Sequence, residues 1–164
     1  NYEEYSSKIF KNSISLNKPY YYVNVPSKAN PETAPQGSEA IFVLCPVPDL
    51  RYKPSWDDSE DLAQNIITDI SERVGFDINK HLVTKTILTP VEWQNMFNLY
   101  RGSGLGLAHD LNQIGYFRPH NTDEKYKNIF YVGASTIPGT GLPMAVISSR
   151  LTTEQIVNRY GSLH

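Results

Sequence analysis

The segment from Asn128 to Leu151, NIFYVGASTIPGTGLPMAVISSRL, constrains the fold more than any other part of the chain. It begins with a short apolar run, Ile129 to Val132, which predicts a buried strand. A glycine-rich turn follows, and Pro143 then stands where a helix can begin, because proline's missing N–H is not needed in a first helical turn. This order would direct unpaired N–H groups at one point, as at a cofactor phosphate. A plain strand–helix connection explains the same spacing, so both interpretations stay open.

Composition and charge describe an ordinary globular domain or a part of one. The 164 residues are 40% apolar and 20% charged, with a formal net charge of −2. Interspersed charges of both signs give no electrostatic case for nucleic-acid binding. No apolar run approaches the roughly 18 residues of a membrane span. The chain starts at Asn1 without a targeting pattern, which suggests a processed chain or a piece of a longer one.

The remaining segments predict a mixture of strands and helices. Strands are expected at 20–25, 39–47 and 81–88, with a polar loop at 26–38 between the first two. A helix is expected at 57–76, ended by a glycine, and another from about 89 to 100, opened by a capping box. Residues 152–161 predict a short final helix, and residues 1–18 an irregular or weakly helical start. The possible packing contacts in that start are Tyr2, Tyr5, Ile9 and Phe10.

Two local patterns allow more than one interpretation. The short helix presents Trp93, Phe97 and Tyr100, an aromatic cluster that usually belongs to a core, with an apolar ligand wall as the alternative. The glycines of RGSGLGLAHD, residues 101–110, do not form a dinucleotide fingerprint, because Leu107 stands at the third glycine's place and the preceding segment looks helical. We expect a flexible, close-packed loop there.

Candidate chemistry is sparse. Cys45 is the only cysteine and lies in the apolar run IFVLCPVP, which predicts a buried, inert thiol. His109 beside Asp110 is a candidate acid–base pair near a cofactor, with solvated loop residues as the alternative. Arg118 either clamps an anion or pairs with an acid such as Asp123. The histidines are not spaced as zinc ligands, so no metal site is expected. They are His81, His109, His120 and His164.

Three stretches together resemble the carboxy-terminal part of the phytoene desaturase family, the flavin-dependent carotenoid desaturases of bacterial and fungal type. They are residues 21–48, 98–121 and 128–151, in the family's order. The most specific motif, V-G-A-S-T-x-P-G-T-G-x-P, lies in the last stretch. The resemblance implies an enzyme that binds FAD and desaturates phytoene, a long polyene, to coloured carotenoids. It also implies an intracellular protein that associates peripherally with a membrane.

The resemblance implies an α/β fold with two parts. Residues 1–127 would belong to a substrate-binding domain with a mixed sheet, and residues 128–164 would be the terminal strand, turn and helix of a Rossmann-like FAD-binding domain. The implied FAD contacts are Gly133, Ala134, Ser135, Gly139, Thr140, Gly141 and Leu142. The implied substrate contacts are Leu105, Tyr116 and Phe117. The family's amino-terminal G-x-G-x-x-G is absent, which implies an incomplete domain that is inactive alone.

The catalytic residues and the reaction itself stay open at this stage. Ile137 stands where relatives often have histidine, so no titratable group is available there. The flavin would carry the chemistry while the protein positions the substrate. A carotenoid isomerase or a polyene saturase would fit the same fold, because function depends on the site and not on the architecture. A non-enzymatic module that binds a partner through its aromatic strands and the 26–38 loop is the third hypothesis.

Overall fold

The computed structural model describes residues 2–9 and 18–161. This part of the chain divides into two compact units, with the boundary between Gly102 and Ser103. Phe10 and His164 lie outside the described residues. The longer elements are α1 (Tyr2–Ile9), β1 (Tyr22–Asn24), α2 (Pro26–Ala29), β2 (Phe42–Leu44), α3 (Ser59–Val74), α4 (Pro90–Phe97) and α5 (Leu142–Tyr160). Short 3-10 helices occupy Pro31–Thr33, Ile78–His81, Tyr100–Gly102, Leu111–Gln113 and Gly115–Phe117. The mixture of helices and a small sheet is compatible with the α/β class.

The sheet of the first unit contains the two strands expected near its beginning. β1 pairs antiparallel with β2, with Val23 opposite Val43. Both strands are shorter than the apolar runs that predicted them. The polar loop between them is partly helical, because α2 begins with a proline, which is favourable in a first helical turn. Ser27 and Lys28 of α2 both hydrogen-bond the carboxylate of Glu39, so the loop's two ends are held together.

Helix α3 supplies the core of the first unit. Leu62, Ile66 and Ile70 are buried together with Trp56. Their spacing of four residues, which places them on one face of the helix, predicts this. The helix ends at Gly75, whose φ of +67° is a backbone conformation that favours glycine. Val74 continues the spacing but is 61% exposed, because the apolar stripe leaves the core in the last turn.

The capping box predicted at the start of helix α4 is confirmed. The Thr89 hydroxyl accepts a hydrogen bond from the Val91 N–H at 3.2 Å, and the Glu92 carboxylate accepts one from the Thr89 N–H at 2.8 Å. The helix ends at Phe97 and not near Tyr100, since Asn98 takes a left-handed conformation with φ +52°.

The prediction of a strand at residues 81–88 is wrong. His81 ends a 3-10 helix, and residues 82–88 follow an irregular path. A strand is stable only beside another strand, and none of the described residues pairs with this segment. Val83 is accordingly 90% exposed.

The second unit corrects two predictions on either side of its glycine turn. The run from Ile129 to Val132 is not a buried strand: it forms a single bridge, Thr122 to Phe130, and most of its side chains are exposed. The final helix does not begin at Thr152, because α5 is continuous from Leu142 to Tyr160. The Thr152 hydroxyl bonds the Ser148 carbonyl inside that helix, so it does not cap a new one. Pro143 stands in the first turn of α5 and Gly161 follows its last residue, as expected.

The division into two units lies at 102/103, whereas the resemblance suggests a functional boundary at 127/128. The assignment of these parts to substrate and flavin domains stays a prediction. Among the described residues, no helix has the length and apolar character needed to cross a membrane.

Candidate functional site

The turn between Gly133 and Gly141 depends on glycine at three positions. Gly133, Gly139 and Gly141 have φ values of +117°, +133° and +132°, which residues with a Cβ rarely adopt. Gly139 is also crowded, because a Cβ there would lie 2.8 Å from Nε2 of His109. A further close approach occurs at Gly106, where a Cβ would lie 2.8 Å from the Ser135 hydroxyl oxygen. The turn therefore packs closely against the 105–110 segment, as the predicted close-packed loop requires.

Arg118 lies at the centre of this packing and is only 1% exposed. Its Nε donates to the Thr136 carbonyl at 3.0 Å. Its Nη1 donates to the carbonyls of Ala108 and Gln113 at 3.1 and 2.9 Å, and its Nη2 donates to those of Leu107 and Ala134. Every N–H of the guanidinium group is thus used by a backbone carbonyl.

This arrangement corrects the expected ion pair between Arg118 and Asp123. Asp123 instead accepts a hydrogen bond from the Tyr131 hydroxyl at 2.6 Å and from the N–H groups of Lys125 and Tyr126 at 2.9 and 2.7 Å. These bonds, led by that of Tyr131, hold the pKa of the Asp123 carboxyl below its usual range. The same contact raises the pKa of the Tyr131 hydroxyl. Asp123 closes a local turn, and Arg118 ties two separate segments together.

A buried polar cluster anchors the turn to α5. The side chain of Ser148 is fully buried, and its hydroxyl accepts from the Gly133 N–H at 3.1 Å. The Asn121 amide nitrogen lies 3.1–3.2 Å from the Ser148 and Thr136 hydroxyls and the Tyr131 and Ile137 carbonyls. The sequence reasoning missed this cluster. Its only signal was the presence of small polar residues inside the most specific motif and on the otherwise apolar start of α5.

Several backbone carbonyl groups of the turn accept hydrogen bonds, among them those of Ala134, Thr136 and Ile137. Several of its N–H groups do not donate one. Among the described residues, the N–H groups of Gly139, Thr140 and Leu142 have no hydrogen-bond partner. Leu142 begins α5 and is 88% exposed. Thr140 is half-buried and Gly139 is buried. Whether these N–H groups bind an anion, or the turn only connects two segments, stays a prediction.

The structure brings the other candidate residues into the same unit. His109 packs on Gly139, and both His109 and its neighbour Asp110 are exposed. Leu105, Tyr116 and Phe117 are also exposed. The Leu105 carbonyl accepts a hydrogen bond from the Thr140 hydroxyl, and an open groove of about 550 Å³ borders Tyr116 and Phe117.

Residues that could bind a metal do not cluster in the part of the chain that the structure describes. The aromatic cluster expected around α4 lies in the first unit and does not form a core. Trp93 is half-buried against Phe97 on α4, whereas Phe97 and Tyr100, which lies in the following 3-10 helix, are exposed.

Known proteins similar to this chain are carotenoid desaturases, although none of the known family profiles matches it. The chain is 35% identical to a phytoene desaturase of Fusarium fujikuroi over 98% of its own length and 32% of that protein. It is 42% identical to the zeta-carotene-forming phytoene desaturase of Myxococcus xanthus, over 85% of this chain and 27% of that protein. It is 35% identical to a 4,4'-diapophytoene desaturase of Staphylococcus aureus, over 92% of this chain and 31% of that protein. The chain spans about a third of the length of these relatives.

Proposed function

Since this chain belongs to the phytoene desaturase family, we propose that the whole protein of which it is a part desaturates phytoene to coloured carotenoids with FAD as its cofactor. The observation that carries the proposal is the similarity itself, which extends over almost the entire chain in two of the three relatives described. The chain would form the carboxy-terminal part of that enzyme. The rest of its Rossmann-like cofactor domain would come from other parts of the protein.

The glycine turn fits the role of a flavin contact. An extended, negatively charged cofactor needs a close approach to the backbone and free N–H donors. A Cβ placed on Gly133 or Gly141 would meet no atom of the described residues closer than 3.7 Å, so the space beside both glycines is open. The N–H groups of Thr140 and Leu142 would supply the donors, and Gly139, which is buried against His109, would shape the turn between them and the cofactor. Gly133, Ala134, Ser135 and Gly141 complete the proposed contact surface.

The exposed apolar residues of the second unit fit the role of a polyene surface. Leu105, Tyr116 and Phe117 are 71%, 81% and 68% exposed, and none of the three carries a charge. Their proposed task is to bind and orient the hydrocarbon and to exclude water from it. When bound, FAD supplies the chemistry by accepting a hydride from the substrate while a proton leaves the neighbouring carbon. A peripheral membrane location would give the enzyme access to this water-insoluble substrate.

Of the three candidates from the sequence for a catalytic contribution, His109 and Asp110 stay proposed and Arg118 does not, because their surroundings differ. His109 and Asp110 are both exposed, and His109 packs against Gly139 of the turn. Arg118 has no free N–H, so it is not available to clamp a phosphate or to donate a proton.

The test uses the full-length protein purified in detergent with FAD. Flavin absorption bands that remain after gel filtration, followed by conversion of phytoene to products of lower mass, would support the proposal. An isomerase would leave the product mass unchanged, and a saturase would raise it. A protein that stays colourless under several reconstitution conditions would instead favour the non-enzymatic binding module.

A further inference from the structure

Arg118 contacts two segments that have different proposed roles. Three of its five carbonyl partners belong to Leu107, Ala108 and Gln113. They lie within residues 105–117, the polyene-facing segment, which begins and ends with the proposed polyene contacts Leu105, Tyr116 and Phe117. The other two belong to Ala134 and Thr136, within the turn proposed to contact the flavin. One side chain therefore joins residues 107–113 to residues 134–136.

The chemistry of the guanidinium group makes this junction rigid. Arginine is almost never fully buried unless its charge is compensated. Here the compensation comes from five carbonyl dipoles, and no carboxylate of the described residues forms an ion pair with the group. The planar fork fixes the directions of all five N–H bonds, so the two segments cannot shift relative to each other without breaking some of them. Lysine, with three donors on one atom, cannot replace it.

We propose that Arg118 is a positioning residue that sets the distance and orientation between the polyene-facing segment and the flavin-facing turn. The inference rests on the proposed function, since it takes both roles from there. Desaturation requires the reacting carbon to lie at a defined distance from the flavin, and small displacements of such groups reduce the rate strongly. A link between the two surfaces would keep that distance constant.

A second and weaker link supports the same coupling. The Thr140 hydroxyl donates to the Leu105 carbonyl, which joins the far end of the turn to the start of the polyene-facing segment. Thr140 is half-buried, and its substitution by the similarly shaped valine would remove this bond without leaving a charge unpaired. The two links together span the whole of both segments.

The main experiment compares full-length wild-type protein with Arg118→Lys and Arg118→Gln. Arg150→Gln serves as the matched control, because Arg150 is exposed on α5 and, among the described residues, its ion-pair partner is Glu154, one turn away. The measurements are the dissociation constant for FAD, the visible circular dichroism of the bound flavin, and kcat and KM for phytoene. We expect both Arg118 variants to lose at least tenfold in kcat and to show a changed flavin spectrum, with lysine giving no rescue and Arg150→Gln behaving as wild type.

A purely structural role would give a different result. Arg118→Lys would then lower the unfolding temperature of the protein but leave kcat per bound flavin and the flavin spectrum unchanged, which would overturn the proposal. If the Arg118 variants do not fold, Thr140→Val decides: a two- to fivefold loss in kcat supports the coupling, and an unchanged kcat overturns it.

Failure of the proposed function is recognised separately. If the wild-type protein binds no FAD, the function is wrong, and the junction is then tested by hydrogen exchange of the same variants. Faster exchange in residues 105–113 and 134–136 together, in Arg118→Lys or Thr140→Val, would support one coupled unit. Faster exchange in only one of the two segments would overturn it.

Discussion

The backbone of Gly102 lies directly against the carbonyl group of Pro90: a Cβ built on Gly102 would be 2.1 Å from the Pro90 oxygen. Both groups belong to the main chain, so the contact cannot be relieved by rotation of a side chain. Gly102 also has a φ of +69°, which strains any residue that carries a Cβ. The contact places the 3-10 helix Tyr100–Gly102 against the first residue of α4.

Substitution of Gly102 should therefore lower the free energy of unfolding by more than backbone strain alone would. Gly75 is the matched control, because its φ of +67° is almost the same and no atom lies within 4 Å of its Cβ position. We expect Gly75→Ala to lower the free energy of unfolding by about 1–2 kcal/mol. We expect Gly102→Ala to lower it by at least ~4 kcal/mol, since overpacking adds to strain. Denaturant unfolding of the full-length protein measures both, and equal losses would contradict the contact.

The fully buried hydroxyl of Ser148 gives a second prediction. Ser148→Ala would leave the Gly133 N–H unpaired and weaken the contacts of Thr136 and Asn121. Loss of a partner for a buried polar group costs about 1–3 kcal/mol, so we expect the free energy of unfolding to fall by that amount. Thermal and denaturant unfolding without added flavin isolate this effect from cofactor binding.

The neighbouring Ser149 is the control for that substitution. It is exposed, and Ser149→Ala should change the free energy of unfolding by less than about 0.5 kcal/mol. Similar effects of the two alanine substitutions would show that the polar cluster does not anchor the turn.

Local signals in the sequence were enough for the helices of the first unit. The apolar stripe of α3 repeats every four residues, at Leu62, Ile66 and Ile70. The capping box of α4 joins Thr89 to Glu92. Both features depend on neighbours within one or two helical turns. The glycines of the turn were also visible in the sequence, and Gly133, Gly139 and Gly141 have positive φ values. These features need no knowledge of distant contacts. The roles that the family resemblance gives to this turn stay predictions.

Features that depend on distant partners were not predictable in the same way. Arg118 has the sequence context of a surface residue, and its burial is decided by carbonyls up to 18 positions away. The apolar runs at 81–88 and 129–132 have the composition of strands, but the described residues offer the first no strand partner and the second a single bridge. The composition of such a run favours a β-strand, but the strand forms only where a neighbouring strand pairs with it.

The turn closed by Asp123 should be sensitive to acid. Its carboxyl has a depressed pKa in the folded chain, so protonation is easier in the unfolded chain. The stabilisation is therefore complete above the unfolded pKa of about 4 and is lost as the pH falls through the lower folded value. We expect amide exchange at Lys125 and Tyr126, corrected for its intrinsic rate, to increase below that pH. Tyr131→Phe removes the largest cause of the shift and should move the change to higher pH; an unchanged profile would contradict this assignment.

The thiol of Cys45 should react slowly in the folded protein. Cys45 is half-buried and not fully buried as its apolar run predicted. This partial burial raises the pKa of the thiol, and the smaller opposite effect of the Tyr5 hydroxyl, 3.7 Å from the sulfur, does not cancel it. At pH 8 the folded state therefore contains less thiolate than the unfolded state, and the difference narrows as the pH rises. Alkylation by iodoacetamide, followed by mass spectrometry of the Cys45 peptide, should be at least about tenfold slower in native protein than in urea. Tyr5→Ala removes both a buried ring beside the sulfur and the hydrogen bond that lowers the thiol pKa; because burial is the larger of the two causes, alkylation should become faster. Equal native and unfolded rates at pH 8 would show that Cys45 is accessible and would reopen the question of its chemistry.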